Sequence, residues 1–68
     1  SDMELLRIEG EYSLYKESDG LCHITCGNQK SYLFGKEDMT MLKSLDAVLF
    51  KAVAEDILKQ GPSVPKIY

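Results

Sequence analysis

From Met39 to Gln60 the chain contains neither glycine nor proline, and Gly61-Pro62 closes the run. Within it, Leu42, Leu45, Leu49, Val53 and Ile57 recur at steps of three and four, flanked by Met41, Val48 and Ala52. That period predicts one amphipathic helix, entered through Gly35 and an acidic first turn of Lys36-Glu37-Asp38. A helix from about Asp38 to Gln60 would be roughly 34 Å long at 1.5 Å per residue. Strands of five or six residues span only about 17–20 Å, so part of such a helix would overhang its sheet. Phe50, Ala54 and Leu58 lie on a flank beside the main stripe. A twofold partner would bury that flank, so the expected assembly is a homodimer or higher oligomer built through the helix. The alternative is a kinked helix whose second half folds back onto the sheet, although no Pro or Gly marks a kink.

Ahead of Gly35 the pattern changes to that of strands. ELLRIE (Glu4–Glu9) and EYSLYK (Glu11–Lys16) are joined by Gly10, which fits either a bulge in one long strand or a tight turn between two. Asp19-Gly20 in ESDG is a hairpin signal, and LCHITC (Leu21–Cys26) is the answering strand. Gly27-Asn28 makes a second turn before QKSYLF (Gln29–Phe34). The fold class expected is therefore α+β: an antiparallel meander of three or four strands followed by one long C-terminal helix. Residues 4–60 form its single domain. Ser1-Asp2 ahead of Met3 reads as a cloning remnant, and 61–68 as a proline-containing tail whose Val64, Ile67 and Tyr68 suit docking on another subunit.

Leu21 to Gly27 holds both cysteines and the only histidine. On a strand, Cys22, Ile24 and Cys26 share one face and His23 takes the other. Four residues separate the cysteine Cα atoms by roughly 13 Å, whereas a disulfide requires about 7 Å or less. Structural zinc wants four ligands on a chelating turn, and a thiol nucleophile wants its histidine within hydrogen-bond reach. Opposite strand faces deny both. The cysteines are expected to be small core hydrophobes, with no metal and no cofactor.

His23 then stands on the sheet face away from the helix. Tyr15 joins it there, with Tyr32 or Phe34 as the third aromatic and Lys16 and Lys30 at the edges. Such a face could meet a protein partner or stack the bases of single-stranded nucleic acid. A strand meander followed by a long helix resembles, in order of elements only, the dimeric single-stranded-DNA-binding coactivator fold. That resemblance carries no functional residues across.

Charge argues against the nucleic-acid alternative. Eight basic and eleven acidic residues leave a net −3, few bases to follow a phosphate backbone or an anionic lipid surface. Acidic residues are scattered through strands and turns, the pattern of a solvated surface. There is no P-loop, no G-x-G-x-x-G and no hydrolase elbow. Sixty-eight residues leave little room for a pocket of a few hundred Å³ inside one subunit, although one between subunits could hold a small molecule or nucleotide. With no apolar run near 18 residues and no leader, the expected setting is the reducing cytoplasm. The function expected is that of a non-enzymatic homo-oligomeric binding protein, an inhibitor, adaptor or phage-type modulator of a larger protein.

Overall fold

The computed structural model describes residues 2–62; the expectation placed on the tail lies mostly outside them. Four antiparallel strands follow one another in space as they do in sequence: β1 (Glu4–Glu9), β2 (Tyr12–Lys16), β3 (Cys22–Cys26) and β4 (Gln29–Lys30). Two helices, α1 (Lys36–Ser44) and α2 (Ala47–Lys59), cover one face of this sheet. The α+β class and the meander are as expected, and the helical half differs.

Gly10 is a turn. Glu9 pairs with Tyr12 across a two-residue connection in which Gly10 alone takes a positive φ, +59°. Gly-X is the order a type II′ hairpin turn uses. Gly27 repeats the device, with φ +60° between the paired Cys26 and Gln29. The bulge falls instead between Leu5 and Arg7, without any glycine. Its extra residue, Leu6, packs against the core. Because of it, Leu5 and Ile8 both oppose residues of the face away from the helices, Tyr15 and Ser13. In an unbulged strand, positions 5 and 8 would lie on opposite faces.

The predicted fourth strand, Gln29–Phe34, keeps regular pairing only over Gln29–Lys30. Beyond it the Ser31 hydroxyl replaces a backbone acceptor. Ile24 N–H donates to Ser31 Oγ at 2.8 Å while Ser31 N–H donates to the Ile24 carbonyl at 2.8 Å. Pairing resumes at Phe34, which exchanges two 2.8 Å bonds with Cys22.

The single long helix is broken at Leu45-Asp46. Leu45 is extended, with φ −70° and ψ 148°. Asp46 caps the next helix by accepting the Leu49 N–H at 2.9 Å. Ser44 closes α1 by turning its hydroxyl back on the Met41 carbonyl. Arg7 completes the break from the sheet: its Nη1 donates to the carbonyls of Leu42 at 2.8 Å and Leu45 at 2.6 Å, groups left without partners where a helix ends. The same guanidinium lies 4.5 Å above the Phe50 ring and pairs with Glu9 at 2.9 Å.

The break resets the helical phase and turns the buried face of α2 by about one residue: Ile57 and Val53 keep their expected side, while Phe50 and Ala54 replace Leu49 against the sheet. Leu42 of α1 and Phe50, Ala54 and Ile57 of α2 are buried against Leu14, Cys22, Ile24 and Phe34. Phe50 and Ala54, assigned from the sequence to an oligomer interface, are completely enclosed within one chain, and Leu58 is half-buried. Leu49, assigned to the core stripe, is 50 % exposed, and Val48 beside it is 76 % exposed. Thirteen residues make α2 about 20 Å long, matched to the strands, so the predicted overhang is absent. The resemblance in element order to a meander with one long helix ends at the same place.

Candidate functional site

On the sheet face away from the helices, Tyr15 and His23 are direct cross-strand partners. Their rings stack with centroids 5.5 Å apart and planes inclined by 22°. Glu17, two residues beyond Tyr15, turns to the same side. The β2–β3 loop holds it there: Glu17 N–H donates to the Leu21 carbonyl at 2.7 Å, and the Glu17 carbonyl accepts from Gly20 at 3.0 Å. Gly20 supports that path with φ +90°, and Asp19 accepts the Leu21 N–H at 3.0 Å. One oxygen of Glu17, Oε2, then lies 3.1 Å from His23 Nδ1 and 3.4 Å from Lys30 Nζ.

His23 is only 1 % exposed. Despite its nearness, Glu17 Oε2 lies off the line of a good ring N–H hydrogen bond, and Nδ1 is left without an aligned partner. Burial depresses the basicity of the ring first, and the Lys30 charge adds to the effect, while Glu17 opposes it. A carboxylate beside an imidazole is the pairing used in general-base catalysis, but this ring is closed to any substrate. Its chemistry is confined to taking up or holding off a proton.

Of the residues expected on this face, Tyr15, His23 and Lys30 are brought together. Lys16 and Tyr32 are not. Lys16 shares the strand face of Leu14 and pairs with Glu4 at 3.6 Å. Tyr32 packs against the core and meets Phe34 edge to face, with centroids 6.0 Å apart. Burial raises its phenol pKa, and nearby Asp38 adds to the rise. Glu17 was missed, although its two-residue offset from Tyr15 placed it on the right side.

Both cysteines are free. Cys22 is enclosed in the core, where burial pushes its thiol up, Asp19 adds, and Lys16 and Lys43 oppose. Cys26 is half-buried, its Sγ 3.9 Å from Glu11 Oε1. It lines a cleft of about 230 Å³ with Tyr12, Gln29, Glu55, Leu58 and Lys59. A second cleft of about 320 Å³ adjoins it through Gln29 and Leu58. Among the described residues no group of three histidine, cysteine or acidic side chains is placed to hold a metal ion, and no helix is long and apolar enough to cross a membrane. A comparison with known proteins finds no matching family model, no matching curated protein and no matching solved structure.

Proposed function

We propose that this chain is a non-enzymatic binding protein that assembles with itself and occupies a surface of another protein, as an inhibitor or adaptor does. The observation that supports this reading is the apolar surface left on both layers. Val48 and Leu49 stand out from the first turn of α2, with Met41 on α1 also exposed, while Leu5 and Ile8, 46 % and 58 % exposed, share the open face of β1. Single exposed apolar side chains are ordinary; adjacent ones on a common face mark contact surfaces. Self-association is assigned to the Val48–Leu49 flank, because Phe50 and Ala54 are already used inside the chain. The Leu5–Ile8 face is assigned to the protein partner. A net charge of −3 suits a protein surface better than a phosphate backbone, and the enclosed ring of His23 offers no platform for a base. Two free thiols, one enclosed and one half-buried, suit a reducing cytoplasmic setting.

Sedimentation equilibrium at micromolar concentration tests the assembly. The wild-type chain should show about twice its 7.7 kDa. The double variant Val48→Glu, Leu49→Glu should fall to the single-chain mass with its helical circular dichroism unchanged. Leu5→Lys with Ile8→Lys should leave the assembled mass intact. A wild-type mass of one chain refutes self-association. A salt-dependent shift of a single-stranded oligonucleotide would transfer the reading to nucleic acid.

A further inference from the structure

We infer that Glu17, His23 and Lys30 form a proton-sensitive clasp that holds the short β4 edge to the sheet and loosens when the His23 imidazole takes up a proton. Three observations carry this. First, the ring is enclosed: 1 % exposed, stacked under Tyr15, with Nδ1 lacking an aligned acceptor. Second, a single carboxylate oxygen lies beside two basic groups, 3.1 Å from Nδ1 and 3.4 Å from the Lys30 ammonium, and accepts a hydrogen bond only from the ammonium. A neutral ring leaves that oxygen to Lys30, whereas an imidazolium would crowd a second cation onto it. Third, the element that carries Lys30 is a short edge strand, exposed at both of its residues. β4 has two paired residues, and beyond them the strand is tied to β3 at two further points, the reciprocal bonds between Ile24 and Ser31 and those between Cys22 and Phe34. An ammonium displaced from Glu17 would therefore loosen the shortest strand of the sheet, at its edge.

The charged and titratable groups around the ring are few. β2 presents the Tyr15 phenol, the β2–β3 loop presents Glu17, and β4 presents Lys30. In the same row, β1 presents Leu5, which is uncharged, and both helices lie behind the sheet. The direction follows from linkage. The buried ring binds a proton less readily in the folded chain than in the unfolded one. Stability is therefore complete above the ordinary imidazole pKa of about 6.5 and is lost as pH falls below it toward the folded value.

The test combines nuclear magnetic resonance of the His23 ring with urea unfolding between pH 7 and 5, on the full chain. The wild-type folding constant should fall by up to about tenfold per pH unit below 6.5, the limit for one linked proton. His23→Gln should fall distinctly less. On acidification the Ile24 and Ser31 amides should lose protection from exchange while amides between β1 and β2 keep theirs. Lys30→Met should raise the pH at which the ring titrates, and Glu17→Gln should lower it. Lys30 is half exposed, so its variant decides the matter even if His23→Gln fails to fold. A ring that titrates near 6.5 and ignores both neighbouring substitutions overturns the clasp. So does a His23→Gln variant as acid-sensitive as the wild type.

Discussion

Arg7 joins three parts of the molecule, and its removal should show what the helix break costs to maintain. In Arg7→Ala the carbonyls of Leu42 and Leu45 lose donors at 2.8 and 2.6 Å. Hydrogen bonds from a charged donor contribute roughly 1.5–3 kcal/mol each. The contact over Phe50, 4.5 Å from guanidinium carbon to ring centroid, adds about 0.5–2 kcal/mol. The pair with Glu9 is partly solvated and contributes on the order of 0.5 kcal/mol. These terms overlap, because water will reach at least one freed carbonyl, so the expected loss is about 3 kcal/mol. A domain of this size has a total stability of only about 3–10 kcal/mol, so Arg7→Ala could unfold it. Arg7→Lys supplies a milder measurement. An ammonium lacks the planar fork that reaches the helix end while lying on a ring, and about 2 kcal/mol should be lost. Glu9→Gln should cost no more than about 0.5 kcal/mol. Urea unfolding followed by circular dichroism reads all three. The reasoning fails if Arg7→Lys and Glu9→Gln are equally mild, since Arg7 would then be only a surface ion-pair partner.

Three further outcomes follow from the same arrangement. Asp46→Ala should lose about 1 kcal/mol in urea unfolding and Asp46→Asn much less, because either side-chain oxygen can accept the Leu49 N–H. Phe50→Ala should lose about 3–5 kcal/mol as a core truncation, whereas Val48→Ala at the exposed position beside it should stay within about 0.5 kcal/mol for the dissociated chain. A thiol reagent followed by mass spectrometry should modify half-buried Cys26 well before enclosed Cys22; equal rates would contradict the burial of Cys22.

The turns at Asp19-Gly20 and Gly27 could be read from the chain because each depends on local backbone conformation, whereas Gly10 fitted a bulge as well as a turn and only the pairing of Glu9 with Tyr12 decides it. The facing of Cys22, Ile24 and His23 followed from strand alternation alone. That His23 is enclosed did not, since it depends on Tyr15 from the neighbouring strand and a glutamate set by the loop path. The helix break left a weaker mark. Asp46 is followed at the fourth position by Phe50 and preceded by Leu45, the spacing of an N-cap with a hydrophobic staple. No glycine or proline marks the break, and one phase carried across it put Leu49 in the place of Phe50 while leaving Ile57 correctly in the core. Arg7 could not have been found locally, as its carbonyl partners lie 35 to 38 positions away. Nor does any glycine announce the Leu6 bulge that puts Leu5 and Ile8 on one face.

The facing of α2 decides which residues are core and which are available for contact, and one solution measurement reaches it. Backbone chemical shifts should be helical over Lys36–Ser44 and Ala47–Lys59 and interrupted at Leu45-Asp46. Nuclear Overhauser contacts should join the Phe50 ring to the Arg7 side chain, while the Val48 methyls show none to the sheet. Unbroken helical shifts from Asp38 to Gln60, with Leu49 rather than Phe50 in contact with the strands, would contradict the fold and the binding surfaces drawn from it.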